Sequence, residues 1–325
     1  MASAGNIQYS LAPLAGFTDA AFRRLCSRFG ADLTYTEMVS AAGLAHGSRP
    51  TRHLMETLPG EGPVACQLFG ASPDELEFAA REASATGKFV ELNLNAGCPV
   101  PKVTREGAGA TLVKDPAKVH ALLAAMRRGT SLPVTVKTRP GPRPDKVMLW
   151  ELLDAAETAG ASAIVLHARF TSQNHGGEVH LDLLAELVER ARIQVWGNGG
   201  VKDAATARAM AGTGVAGIMI GRAALGNPQI FGLVRGVDPG VDRMEAFKDH
   251  LAAVIELREA LARDFPDDHV PSVDGMCSVQ MHTHLFRYFA GRPGAAELRR
   301  RLNSIRTLSE ILECCGHGQE RGTSK

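Results

Sequence analysis

The chain is poor in cysteine: six in 325 residues, none of them in a C-x-x-C pair. That is too few and too scattered for a disulfide framework, so a reducing cytoplasm is the expected setting. Long apolar runs are also lacking. Nothing approaches the roughly 18 residues that span a bilayer, and the opening MASAGNIQYS has neither the basic start nor the apolar stretch of a signal peptide. No membrane partner is expected. An excess of charge is missing too: 36 basic against 35 acidic side chains leaves a net charge of +1. Any surface for a polyanion must therefore be local. Clusters with metal-ligand spacing are absent as well, since His282 and His284 stand two apart on a helical pattern and point away from each other. No metal is expected. What remains is a chain with 45% hydrophobic residues, enough for a full-size core in one large domain with or without a small companion.

Apolar, often β-branched runs recur along the first two thirds: IQYSLAP, LTYTEMV, VACQLF, FVELNLN, VTVKTR, AIVLHAR, IQVWGN and GIMIGRA. Amphipathic segments such as TDAAFRRLCSRFG, SPDELEFAAREASATG and DPAKVHALLAAMRR separate them. Strands alternating with helices over residues 7–232, eight strands in all, predict an α/β fold of the (β/α)8 TIM barrel type.

Such barrels place their chemistry at the C-terminal strand ends. Those ends read Pro13, Glu37, Gln67, Asn95 with Cys98, Lys137 with Arg139, His167 with Arg169, Asn198 and Arg222. Singly, each has an ordinary structural explanation; as a set they line one mouth with hydrogen-bonding groups. In NLNAGCPVPK, Cys98 sits between Gly97, which allows close backbone approach, and Pro99, which stiffens the loop. A free cysteine is more often a small buried hydrophobe, and only the company of the other strand ends argues for chemistry.

The last two strands run into Gly-containing turns, VWGNGGVKD and MIGRAALGNP, each followed by a helical stretch. Backbone N–H groups in such turns can point at a phosphate, and the turns after strands seven and eight are where barrels hold one. A phosphate-bearing ligand is expected there. The segment EGAGATLV lacks the third glycine and the position of a dinucleotide fingerprint, so Rossmann binding is set aside.

Taken in order, LAPLAGFTDAAFRRLC, TEMVSAAGL, VACQLFG, NAGCPVPKVTREGAGATLVKDP, VTVKTRPG, VLHAR, GNGGVKD and IGRAALGNPQIF resemble the bacterial tRNA-dihydrouridine synthases (Dus). The resemblance implies an FMN enzyme that reduces selected tRNA uridines to 5,6-dihydrouridine with NADPH. It implies flavin contacts at Pro13, Leu14, Ala15, Gln67, Lys137 and His167, and a phosphate seat at Asn198, Gly199, Gly200, Gly221 and Arg222. Lys137 would stabilise negative charge at the flavin N1 and O2 edge, and Gln67 would bond its pyrimidine edge. Cys98 would be the general acid, protonating uracil C5 while hydride reaches C6 from the opposite face. An ordinary thiol, titrating near about 8.5, is mostly protonated at neutral pH and suits that task. Asn95 would bond the uracil or hold the loop, and Arg139 and Arg169 would contact uracil carbonyls or a nearby phosphate. The chain departs from the family pattern at Asn93, where an acid is common, and in FTSQNHGG after HAR; both bear on substrate specificity.

Residues 1–240 are thus expected as the FMN-binding barrel, 241–315 as a small α-helical tRNA-binding domain and 316–325 as a disordered tail, in a monomer. Residues 241–275 carry four basic and nine acidic side chains, whereas 276–325 carry eight basic and four acidic. A basic face with Phe286, Tyr288 and Phe289 could track an RNA backbone, although those aromatics fit a helix core as well. Two other functions remain open on sequence. A flavin reductase of a free pyrimidine would need no basic helical unit, and a flavinless enzyme with Cys98 as nucleophile would need no phosphate turns.

Overall fold

The computed structural model describes residues 7–276, 281–291, 295–302 and 304–316, so all but the first residue of the expected tail lies outside the described residues. Among the described residues there are nine strand segments: β1 (Gln8–Leu11), β2 (Leu33–Tyr35), β3 (Val39–Ser40), β4 (Val64–Phe69), β5 (Glu91–Ala96), β6 (Val134–Thr138), β7 (Ala163–His167), β8 (Gln194–Asn198) and β9 (Gly217–Ile220). Every pairing among them is parallel, β1 pairs with both β2 and β9, and β2 pairs with β4. The sheet therefore closes. It is a (β/α)8 barrel whose second stave comes in two pieces, because β3 takes over the edge of β4 where β2 stops. The segment LTYTEMV, expected as one strand, breaks at Thr36. There a hydroxyl accepts the Gln67 N–H at 3.0 Å in place of a backbone partner.

Local sequence signals start the outer helices. Ser72 accepts from the Glu75 N–H ahead of Pro73 in the helix Pro73–Ala85, and Asp115 does the same for Lys118 ahead of Pro116 in Pro116–Gly129. A side-chain acceptor and a first-turn proline are the standard way to begin a helix, since the N–H that proline lacks would have had no partner.

Strand alternation divides the apolar residues into two cores. In β5, Leu92, Leu94 and Ala96 face the helices, which leaves Glu91, Asn93 and Asn95 to face the barrel axis. Inside, Tyr35, Ala65, Val165, Trp196 and Met219 pack together as a filled interior, so the barrel is not a pore. The outer core continues into the C-terminal helices Arg243–Asp264 and His282–Phe289. Phe22, on the barrel helix Ala20–Arg28, lies 5.2 Å from the His250 ring and 5.1 Å from the His284 ring. Tyr288 is fully buried beside them, while Phe286 and Phe289 are partly buried. Of the three aromatics considered for RNA, Tyr288 is plainly core. Among the described residues, no helix is long and apolar enough to cross a membrane.

Candidate active site

The strand-end residues expected from the sequence lie towards the C-terminal ends of their strands, with Gln67 fully buried, its amide bonded to Asn93 at 2.7 Å and to Asn95 at 3.0 Å. The turn with Pro13, Leu14 and Ala15 follows β1 and is tied to β9 by Ala12 N–H donating to the Ile220 carbonyl at 2.8 Å. It is closed by the Leu14 N–H to Thr18 Oγ1 bond at 3.0 Å and by Gly16 N–H donating to Glu37. Gly221 sits against this turn, with Ala12 and Leu14 its nearest neighbours.

Cys98 stands on a loop held from three sides. Asn95 Oδ1 accepts the N–H groups of Gly97 at 3.2 Å and Cys98 at 3.0 Å, a side-chain turn that fixes where the loop leaves β5. Arg139, fully buried, donates through Nε to the Gly97 carbonyl at 2.9 Å. From below, the Ala110 N–H donates to the Cys98 carbonyl at 2.8 Å. Of the two roles considered for Asn95, its Oδ1 takes that of holding the loop. Arg139 also donates through Nη1 to the carbonyls of Arg169 and Phe170, at 3.2 and 3.3 Å, so it joins two loops.

Lys137 faces the mouth from β6 and donates to Asn198 Oδ1 at 2.8 Å; Asn198 in turn donates to the Met219 carbonyl at 2.8 Å. Burial, with Arg139 beside it, lowers the Lys137 ammonium to about 7. Burial and Arg169 lower the Arg139 guanidinium to about 10. His167 is held neutral far below the usual imidazole range, by burial first and then by Lys137, Arg139 and Arg169. Arg169 is lowered by burial and by Arg222. None of these shifts is countered by a carboxylate of the described residues. Three guanidiniums and a partly charged lysine therefore crowd one mouth, an arrangement that favours an anionic ligand.

A glycine turn stands at the end of β8. Gly199 and Gly200 have φ of 109° and 78°, a left-handed turn that side chains rarely adopt. A Cβ at Gly199 would lie 2.6 Å from His167 Cδ2 and 3.4 Å from Arg169 Nη1. Arg169 donates through Nε to the Gly177 carbonyl at 3.0 Å, yet its Nη1 is buried with no hydrogen-bond partner among the described residues. A buried guanidinium donor beside a glycine turn fits a phosphate oxygen. Arg222 is exposed and donates to the His175 carbonyl at 2.9 Å, close enough to Arg169 to repel it.

Residues 10–320 match the family model described as dihydrouridine synthase (Dus). The chain belongs to the dihydrouridine synthase family. These are flavin-dependent oxidoreductases. The chain is 33% identical over 304 residues to tRNA-dihydrouridine synthase B of Escherichia coli (strain K12), covering 93% of this chain and 92% of that protein. It is 35% identical over 271 residues to a probable tRNA-dihydrouridine synthase of Treponema pallidum (strain Nichols), covering 80% and 79%. A probable tRNA-dihydrouridine synthase of Mycobacterium tuberculosis (strain H37Rv) is 35% identical over 318 residues, covering 94% and 80%.

In this member of the family, several mouth residues gave no clear sign in the sequence. Gly109, from the segment that looked like a failed dinucleotide fingerprint, has φ of 59°, and a Cβ there would lie 2.5 Å from the Cys98 carbonyl oxygen. EGAGATLV is thus the bracket under the cysteine loop. His175 stacks on His167 with ring centroids 5.9 Å apart, carried by the divergent FTSQNHGG loop. Met38, just after the break in the second stave, receives the Asn95 amide on its sulfur at 2.9 Å.

Proposed function

We propose that this enzyme reduces uridines of tRNA to 5,6-dihydrouridine with bound FMN, recharged by NADPH. The observation that carries the reading is the mouth itself. A cysteine on a rigid loop stands beside a desolvated lysine, and a glycine turn with an unpartnered arginine N–H lies in the same mouth. FMN, when bound, supplies the hydride.

The chain's own residues do the rest. Cys98 gives its proton to uracil C5, and the Asn95 turn and Arg139 keep its loop from swinging away. Lys137, lowered by burial to about 7, would hold a proton beside a bound flavin and stabilise negative charge there. Gln67, its amide held by Asn93 and Asn95, would offer only its second N–H or lone pair to the pyrimidine edge. Gly199, Gly200, Gly221 and Arg222 receive the phosphate together with Asn198, and Arg169 joins them through its free Nη1. Pro13, Leu14 and Ala15 would wall a bound flavin on the β1 side, and neutral His167 packs against the Gly199 turn.

Residues 241–315 we assign to holding the RNA, as a helical domain after the barrel of residues 1–240. Arg300, Arg301 and Arg306 are exposed there, and counterion release from such cations supplies affinity without sequence choice. A cavity of about 720 Å³ runs between Gly16 and Glu37 on the barrel and Leu257, Leu261 and Met276 on these helices, so the two parts share a groove beside the mouth.

The test is one anaerobic titration followed by absorbance from 300 to 550 nm. Flavin bands should bleach with NADPH and recover on unmodified tRNA. Recovery on a free pyrimidine alone would replace the RNA substrate, and no bands after adding FMN would overturn the flavin site. Cys98→Ala should still bleach and should lose most of the recovery.

A further inference from the structure

We infer that Glu91, on the floor of the barrel, is a positioning residue for the mouth: it is the terminal acceptor of a one-way hydrogen-bond chain that sets how the Gln67 and Asn95 amides face and how Cys98 is held. The inference builds on the roles assigned above to Gln67 and Cys98.

The chain can be followed link by link. Glu91 Oε1 accepts from the Tyr35 hydroxyl at 2.9 Å and from the Thr135 hydroxyl at 2.6 Å. With its proton committed there, Thr135 Oγ1 can only accept on its other side, and it does so from Asn93 Nδ2 at 2.8 Å. Asn93 then presents Oδ1 to Gln67 Nε2 at 2.7 Å, and Gln67 presents Oε1 to Asn95 Nδ2 at 3.0 Å. Asn95 is left with Oδ1 for the Gly97 and Cys98 N–H groups, at 3.2 and 3.0 Å.

A side-chain amide has one accepting end and one donating end, so no link can turn over without a donor meeting a donor further along. Backbone N–H groups, which only donate, fix the upper end. The lower end needs an acceptor. Glu91 provides one in either protonation state, because a proton on Oε2 leaves Oε1 free. Asn93, Gln67 and Asn95 are all buried, so water does not readily replace a mismatched link. Glu91 opens β5, roughly 20 Å below the cysteine loop at ~3.3 Å per strand residue. A direct contact is ruled out by that distance, and the effect must travel through the chain.

Cys98 itself can report on this. The measurements are its alkylation rate by iodoacetamide, read on the Cys98 peptide by mass spectrometry in cofactor-stripped protein, and FMN affinity by fluorescence quenching. Glu91→Met removes the acceptor, Thr135→Val cuts the chain one link higher, and Glu91→Gln keeps an acceptor oxygen in place. The first two should raise the alkylation rate and the FMN Kd about tenfold, the worth of one net hydrogen bond. Glu91→Gln should stay within about twofold, and the Met and Val changes together should do no more than either alone, since both cut one chain. Native alkylation in Glu91→Met and Thr135→Val at native Tm would overturn the inference. So would Glu91→Gln behaving like Glu91→Met. Should Glu91→Met not fold, the near-isosteric Thr135→Val carries the same expectation. Alkylation needs no flavin, so a failure of the flavin assignment would appear as absent FMN binding with the alkylation pattern intact.

Discussion

Gly109→Ala should disable the enzyme while leaving every side chain proposed to meet substrate unchanged. The new methyl would start 2.5 Å from the Cys98 carbonyl oxygen and 2.7 Å from Val103 Cγ1. It would also sit on a backbone with φ of 59°. The left-handed conformation costs an alanine roughly 1–2 kcal/mol, and overpacking adds about 1–3 kcal/mol. The chain can relieve the clash only by moving the Cys98 carbonyl away by ~1 Å, which also stretches its bond from the Ala110 N–H. A misplacement of about 1 Å in a reacting group is worth on the order of 100-fold in rate. Single-turnover dihydrouridine formation on tRNA should therefore fall about 100-fold, with the flavin content of the purified protein unchanged. Gly107→Ala is the control, because its φ of 72° carries the same backbone cost while the nearest atom to a new Cβ is 3.6 Å away. It should lose about 1–2 kcal/mol of stability and keep its turnover rate. Turnover within threefold of native in Gly109→Ala, or an equal loss in both variants, would refute the reasoning.

Lys137 lies at about 7 without ligand, so FMN binding at pH 8 should draw a proton onto it. Calorimetry in buffers of different ionisation enthalpy should show uptake of about 0.9 proton at that pH, and Lys137→Met should abolish it. Arg169→Met should weaken FMN about 10- to 100-fold, the worth of a charged hydrogen bond, and leave riboflavin unchanged. Equal weakening of both would take Arg169 away from the phosphate. The neutral histidines under the C-terminal helices predict acid lability. His284 is lowered to about 4 and His250 well below the usual imidazole value, in both cases chiefly by burial. The unfolded chain binds these protons below about pH 6.5 and the folded one does not. Stability is then full above pH 6.5 and falls as pH drops towards 4, by on the order of 3 kcal/mol for His284 alone. Thermal unfolding of His284→Leu between pH 7.5 and 4.5 should show a flatter profile than the native protein, and an identical profile would remove the histidine from the account.

The barrel was legible because parallel staves buried on both faces leave long β-branched runs, and the mouth because polar groups at strand ends stand out against them. Cys98, Lys137 and the Gly199 turn could be picked on those grounds, and family resemblance gave them roles. Arg139 shows what spacing hides: a strand-end arginine suggests substrate, but its mapped bonds run to three backbone carbonyls that only folding brings together. Gly109 was visible but given no role, since setting aside a dinucleotide turn does not reveal a close approach between two loops. The interior chain from Glu91 was hidden for a different reason. Period-two alternation in ELNLNA marks which residues face inward, yet the direction of hydrogen bonds depends on partners from three other strands.

Arg139 also bears on how such an enzyme can change over time. One guanidinium pins the root of the cysteine loop and the root of the loop that begins at Phe170, so side chains within 171–177 can change without loosening the cysteine. A lineage can then vary that loop's outer surface so long as the His175 and Gly177 carbonyls keep their hold on Arg222 and Arg169, and substitutions at its tip should be tolerated far better than any change at Arg139.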